Sequence, residues 1–293
     1  MIDRALSVED ALRQASSVLA AGGIEQPRHE ARILLGHVTG LSREALLVQH
    51  REILERPLAD ALTSLARRRA EHEPIAYLTG EREFWGLSFE VTRDTLIPRP
   101  DSETLVEAAL EFTRARRDAG LRILDLGVGS GCLLISLLRE LPLAEGFGVD
   151  RSVAALRVAG RNAERHGVSA RMQLFAGCWG AALSPSFDII VANPPYVADG
   201  ERASMMPEVA KYEPAEALFA GAEGEDAYRN MAPQLARLLA PQGRIFLELG
   251  AGQGARAAEI LHGAGLSECE RRKDLAGIER CGIFELAPDL AVD

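Results

Sequence analysis

Apolar residues recur every three or four positions along the first quarter of the chain, then give way to short apolar runs alternating with further helical stretches. Ser7-Val8-Glu9-Asp10 opens the first element in the manner of a capping box, with a carboxylate three residues after a hydroxyl. Leu12, Ala15, Val18 and Leu19 follow at helical spacing, and Gly22-Gly23 ends the run. Pro27 begins a second helix carrying Ala31, Leu34 and Leu35, a third starts near Ser42, and a longer one runs from Pro57 toward His72. Residues 1–75 are therefore expected to form a small helical bundle.

The period changes in residues 76–100. Phe84-Trp85-Gly86-Leu87-Ser88-Phe89-Glu90-Val91 alternates about a glycine, which predicts a hairpin. Ile97-Pro98-Arg99-Pro100 is a stiff connector, since each proline restricts its predecessor, and Asp101 is expected to cap a helix bearing Leu105, Val106, Ala109 and Leu110. After Gly120 the expected strands are 122–125, 146–150, 172–175, 187–192 and 244–249, with a last run at 282–286. Helical segments between most of them imply a parallel sheet with helices on both faces, a single α/β domain over residues 101–293.

Composition narrows the classes of function. The chain has 293 residues and a formal net charge of −10, whereas affinity for duplex nucleic acid comes mainly from basic contacts to phosphate. No direct nucleic-acid partner is therefore expected. Arg67-Arg68-Arg69 is a dense basic run and reads as a solvated helix face. The N-terminus lacks a basic-then-apolar signal pattern, no stretch suits a membrane span, and the four cysteines have no zinc-like spacing. A cytoplasmic protein with reduced thiols, no membrane partner and no metal site is expected. The six histidines fall in helical or loop contexts and read as surface residues.

Two stretches carry candidate chemistry. Ile123-Leu124-Asp125-Leu126 runs into Gly127-Val128-Gly129-Ser130-Gly131, where glycines permit backbone angles that other residues resist and let a ligand approach the main chain. The GxGxG spacing departs from the dinucleotide fingerprint. Asp150, at the end of the next strand, is positioned to accept from ribose hydroxyls, although it could also cap the following helix. Together they favour an adenosine-type ligand. No P-loop lysine accompanies them.

The second stretch is Asn193-Pro194-Pro195-Tyr196, expected at the carboxyl edge of the sheet, where open α/β folds bind ligands. Two prolines hold two acceptors in a fixed relation: the Asn193 side-chain oxygen and the Pro194 carbonyl. An amide nitrogen, or an exocyclic amine on a base, has its lone pair spread into a neighbouring π system. Acceptors that hold both N–H groups favour the pyramidal form as a new bond develops. Tyr196 offers a flat face for stacking a planar group. Asn193, Pro194 and Tyr196 are thus the candidate catalytic residues, and proximity and orientation would supply much of the acceleration.

These residues resemble the PrmC/HemK family of glutamine N5-methyltransferases. The resemblance extends through Glu73-Pro74-Ile75-Ala76-Tyr77-Leu78-Thr79-Gly80, Phe84-Trp85-Gly86, Leu96-Ile97-Pro98-Arg99-Pro100, Asp125–Gly131, Asn193–Tyr196 and Tyr212-Glu213-Pro214. It implies a class I S-adenosylmethionine-dependent methyltransferase fold, a seven-stranded Rossmann-like sheet whose last strand is antiparallel, behind an N-terminal helical domain that recognises substrate. It further implies that S-adenosylmethionine contacts Gly127, Val128, Gly129, Ser130, Gly131, Asp150, Trp179 and Asn193, and that the substrate glutamine meets Asn193, Pro194, Pro195 and Tyr196. That glutamine would be the one in the Gly-Gly-Gln tripeptide of class I peptide chain release factors, whose methylation modulates translation termination.

Two positions depart from the family pattern. Val128 stands where relatives often have threonine, and Cys178 precedes Trp179 where relatives often have an aspartate able to accept from adenine. A thiol is a poor acceptor. Trp179 also reads as a core aromatic, Phe84 and Trp85 as packing residues, and Arg99 and Glu103 as neighbours that shape the site. Two rivals share the motifs: an amino-methyltransferase acting on a nucleic-acid base, and a non-catalytic protein that keeps the fold as a scaffold. The acidic charge weighs against the first and the intact Asn193–Tyr196 loop against the second.

Overall fold

The computed structural model describes residues 6–184 and 186–288. Contacts divide the chain into two compact units, the first running through Glu81 and regaining the chain at Met206–Tyr212, the second comprising Arg82–Met205 and the residues from Glu213 onward.

The first unit begins with α1 (Val8–Ala21), α2 (Pro27–Thr39), α3 (Arg43–Val48), α4 (Arg56–Ala70) and α5 (Ile75–Thr79). Ser7 caps α1, its hydroxyl oxygen accepting from the Asp10 amide at 3.1 Å. Val8, Ala11, Ala15 and Leu19 of α1 meet Ala31, Leu34 and Leu35 of α2 and Leu62 and Ala66 of α4 in one buried cluster. The basic run at the end of α4 departs from expectation. Arg67 stays exposed, but Arg69 is buried, and Arg68 grips the buried Glu73 at 2.7 and 2.8 Å.

A hairpin follows, of β1 (Glu81–Phe84), which enters the second unit at Arg82, and β2 (Leu87–Glu90). Trp85 and Gly86 join the strands with φ of +53° and +68°, the left-handed pair that a two-residue hairpin turn requires. Glu103 accepts from the Trp85 amide at 2.9 Å, and Phe84 is buried against Phe89. The remaining elements are α6 (Glu103–Phe112), β3 (Arg122–Leu126), α7 (Cys132–Glu140), β4 (Glu145–Asp150), α8 (Val153–Arg165), β5 (Met172–Ala176), β6 (Phe187–Ala192), α9 (Pro207–Tyr212), α10 (Asp226–Leu238), β7 (Leu239–Glu248), α11 (Gly254–His262), β8 (Leu266–Lys273) and β9 (Glu279–Leu286). Of these, α9 belongs to the first unit, where its Glu208 pairs with Arg69 at 2.9 Å.

The sheet order is β5-β4-β3-β6-β7-β9-β8, parallel from β5 to β7, with β9 antiparallel to both its neighbours. The strands alternate their side chains between two cores. Ile123, Ile189, Val191 and Phe246 face the cluster built on α6, α7 and α8. Leu124, Leu126, Ile190, Ile245 and Leu247 face the cluster built on α10 and α11. That period of two explains why continuous apolar strands sit between two helical layers.

Three further details differ from the sequence-based expectations. Asp101 does not cap α6: it sits in a 3₁₀ turn, Pro100–Ser102, and lies 3.5 Å from Arg280. Strand β8 went unforeseen because Ser267-Glu268-Cys269-Glu270-Arg271-Arg272 is a polar, largely exposed edge. His166 is half-buried, a ring nitrogen 2.9 Å from the Ser88 carbonyl and its ring against Phe89. Among the described residues no helix is long and apolar enough to cross a membrane.

Candidate active site

Strands β4 and β5 lie on one side of β3 and β6 lies on the other, so the chain reverses its direction of winding between β3 and β6. Open α/β sheets bind ligands at such a switch point, outside the carboxyl ends of the strands. Here Asp125 is paired in register with Val191, which brings the glycine turn and the Asn193 loop side by side. A cleft of about 860 Å³ opens above them, lined by Asp125, Gly127–Ser130, Asp150, Cys178, Trp179 and Asn193–Pro195, among others, all from the second unit.

The glycine turn has φ of +83° at Gly127, +53° at Gly129 and +83° at Gly131. A side chain at Gly131 would bring its Cβ within 2.9 Å of Ile135 Cδ1, where α7 starts tight against the turn. The amides of Gly127 and Val128 donate to the Val149 carbonyl, and Gly129 donates to Asp150 Oδ2 at 2.9 Å. These donors are occupied within the protein, so the turn offers a ligand its open backbone surface more than its first amides. Val128 packs its side chain into the core, 4% exposed.

Asp150 braces this turn, its second oxygen accepting from the Ser152 amide at 2.8 Å. The cap of α8 is Ser152 itself, whose hydroxyl accepts from Ala155. A carboxylate has about four lone-pair sites, so Asp150 retains acceptor capacity toward the cleft it lines. Trp179 borders both cleft and core, its backbone held at φ +52°, and Cys178 beside it is exposed. A bulky residue in the left-handed region marks a turn held by its surroundings.

Asn193 and Pro194 follow β6 directly, and the loop is tied down on several sides. Asn193 Nδ2 donates to Ser102 Oγ at 3.1 Å. Gln253 Nε2 donates to the Tyr196 carbonyl at 2.9 Å, and Val197 exchanges backbone bonds with Leu218 and Ala220. Tyr196 is not brought onto the cleft with its neighbours: it lies outside the lining residues, its ring against the core and its hydroxyl donating to Glu248 Oε1 at 3.3 Å. Burial, reinforced by the Glu248 charge, pushes the phenol well above its ordinary value and keeps it protonated.

Three polar residues absent from the sequence-based site belong to this region. Asp125 is 1% exposed with its Oδ1 unpartnered, and burial together with the nearby Asp150 charge pushes its carboxyl up to about 8. Glu248 is 1% exposed, and burial pushes it up to about 7 against the pull of Ser102 and Arg280. Ser102 donates its hydroxyl to Glu248 Oε2. Both acids interrupt apolar runs near strand ends, Ile123-Leu124-Asp125-Leu126 and Ile245-Phe246-Leu247-Glu248-Leu249, and that interruption was the available signal. Arg99 and Glu103 also divide: Arg99 lines the cleft and pairs with the buried Glu213 at 2.6 Å, while Glu103 serves the hairpin. Glu213 accepts from the Ile97 amide as well, so the Ile97–Pro100 connector and the Tyr212-Glu213-Pro214 segment meet at one carboxylate.

Comparison with known proteins adds lineage to this geometry. Residues 10–80 match the family described as the PrmC N-terminal domain, and residues 105–221 match the methyltransferase small domain. A release factor glutamine methyltransferase of Rhodospirillum rubrum is 45% identical over 90% of this chain and 80% of its own length. One from Cereibacter sphaeroides is 42% identical over 92% of this chain and 95% of its own. Among solved structures, the hMettl16 catalytic domain in complex with a MAT2A 3′UTR hairpin is 16% identical, covers 82% of this chain and 85% of its own, and has a TM-score of 0.56, a likeness of fold alone.

Proposed function

The chain belongs to the release factor glutamine methyltransferase family, and we propose that its cleft serves transfer of a methyl group from S-adenosylmethionine to the side-chain amide nitrogen (N5) of a release-factor glutamine. The substrate would be the glutamine of the Gly-Gly-Gln tripeptide in class I peptide chain release factors. One observation carries this reading: Asn193 and Pro194, two acceptors on a proline-stiffened loop, line the same cleft as the glycine turn at the sheet's switch point.

The residues present fit the cofactor. The glycine turn is a cradle that a side chain at Gly131 would crowd, Asp150 keeps acceptor capacity for ribose hydroxyls, and Trp179 offers an aromatic edge. Asp125 adds a buried, unpartnered carboxylate oxygen suited to a cationic ligand. When bound, S-adenosylmethionine supplies an electrophilic methyl on a sulfonium. Asn193 Oδ1 and the Pro194 carbonyl accept the two N–H groups of the substrate amide and turn its lone pair out of conjugation. Positive charge builds on nitrogen during transfer, so no strong base is needed beforehand, and the proton leaves afterwards. Preorganised acceptors that meet this charge stabilise it without reorganising.

Asp125 gives the reading a pH signature. In the free protein its carboxyl is protonated below about 8, and a cationic ligand favours the ionised form. Binding below that pH must therefore release a proton, and affinity for S-adenosylhomocysteine, which keeps its ammonium, is expected to weaken as pH falls, by up to about tenfold per unit. Calorimetry at pH 6 and 8 measures this, and Asp125→Asn should flatten the dependence. An equal affinity at both pH values would count against Asp125 as counter-charge.

The direct test is mass spectrometry of a release factor after incubation with the protein and S-adenosylmethionine. One added methyl on the Gly-Gly-Gln glutamine is expected. Methyl groups found only in nucleic acid, or nowhere, would overturn the proposal.

A further inference from the structure

Behind the Asn193 loop lies a buried acid that the transfer chemistry does not itself require. Glu248 ends β7, and both of its oxygens accept: Oε2 from the Ser102 hydroxyl, Oε1 from Tyr196. We propose that Glu248, acting through Ser102, fixes which edge of the Asn193 amide faces the cleft. The proposal deepens the reading of Asn193 as an acceptor and rests on it.

The available protons fix the direction of each bond. A serine hydroxyl has one proton and two lone pairs. Ser102 gives that proton to Glu248, so only lone pairs remain for Asn193. Asn193 must therefore turn Nδ2 toward Ser102, as the 3.1 Å contact shows, and its carbonyl oxygen is left for the cleft that Asn193 lines. An inverted amide would set oxygen against oxygen with no proton between them, and would present N–H groups to a substrate that itself brings N–H groups. An ionised carboxylate can only accept, so it cannot reverse this direction. A protonated acid or a carboxamide at the same position could donate to Ser102, freeing the serine proton to turn toward Asn193. Tyr196 donates to the other oxygen, so both ends of the Asn193–Tyr196 tetrapeptide connect to Glu248, Tyr196 directly and Asn193 through Ser102.

The surroundings of Glu248 make its ionisation state consequential. Arg280 and Cys281 on β9, Asp101 in the 3₁₀ turn, Tyr196 after β6, Tyr228 on α10 and Cys132 on α7 all face it. Arg280 is the one cation in that set, and it divides itself among Asp274, Asp101 and Glu248. Burial outweighs these favourable partners and moves the carboxyl up to about 7, within the working range of an enzyme assay.

The test compares Glu248→Gln, Ser102→Ala, the double variant and Asn193→Ala, reading kcat, KM for each substrate, S-adenosylhomocysteine affinity and thermal melting. Glu248→Gln and Ser102→Ala are expected to lower kcat about 10–100-fold, the scale of a misoriented reactive group, with cofactor affinity unchanged. The double variant should be no worse than the more severe single one, because both act on the same amide. Wild-type kcat should fall as pH drops through about 7 while Glu248→Gln loses that limb. Should Glu248→Gln fail to fold, Ser102→Ala and the wild-type pH profile decide the matter. Wild-type kcat in Glu248→Gln or Ser102→Ala, with Asn193→Ala inactive, would overturn the positioning role and leave the acceptor reading intact. A fully active Asn193→Ala would overturn both.

Discussion

Asn193→Ala is expected to lower kcat/KM for the release factor about 10²–10³-fold, the loss typical of removing one preorganised polar group that meets developing charge. Alanine deletes one of two acceptors, and Pro194 alone cannot hold both N–H groups of a planar amide, so the nitrogen lone pair stays in conjugation. The fold should survive, because Asn193 is half-buried and its one described partner, Ser102, keeps its bond to Glu248. Circular dichroism and melting separate lost chemistry from lost structure. Steady-state turnover at the wild-type rate would contradict the assigned role.

The largest expected effect on stability lies in the first unit. Arg69→Met should destabilise the protein by about 3 kcal/mol, the lower end of the range for removing one partner of a buried ion pair. Arg69 reaches Glu30 of α2 through two nitrogens, at 2.5 and 3.2 Å, and Glu208 of α9 at 2.9 Å. Its own side chain is 8% exposed, whereas Glu30 and Glu208 are 18% and 31% exposed. Methionine fills the volume of the stem but leaves two carboxylates facing each other without a cation. Their partial exposure lets water screen part of that repulsion, which sets the estimate at the low end. Urea unfolding of the full chain measures the loss, and Arg67→Met, in an exposed neighbour, serves as control. Equal midpoints for the two variants would refute the argument.

Legibility in the sequence followed the range of the interaction involved. The helix starts at Ser7, Pro27 and Ser42, the Trp85-Gly86 turn and the parallel strands were readable because each rests on near neighbours: a cap, a stop, a period. Strand β8 was missed for the converse reason. Its residues carry no apolar alternation, and they form a strand only because β9 supplies a register partner. The same holds for Arg69, whose basic neighbours suggest a solvated face while a glutamate 39 residues away draws it inside.

Within the site the division is similar. The glycine turn, Asp150 and the Asn193-Pro194-Pro195 segment announced themselves, since backbone freedom, backbone stiffness and acceptor chemistry are properties of short peptides. Tyr196 shows the limit: residue type alone suggests a stacking surface, whereas its surroundings turn its hydroxyl to Glu248. Glu248 and Ser102 could not be found as a pair, because 146 residues separate them and nothing local links a strand-ending glutamate to a serine before α6.

The sequence by itself therefore determined the N-terminal helices, the alternation of strands and helices in a parallel sheet and which short segments line the cleft, because local periodicity and local backbone restriction suffice for each. Only the tertiary structure decided which buried acids stand behind those acceptors and which way their protons point. Burial and the direction of a hydrogen bond depend on groups that distant parts of the chain bring together, and no window of neighbouring residues contains them.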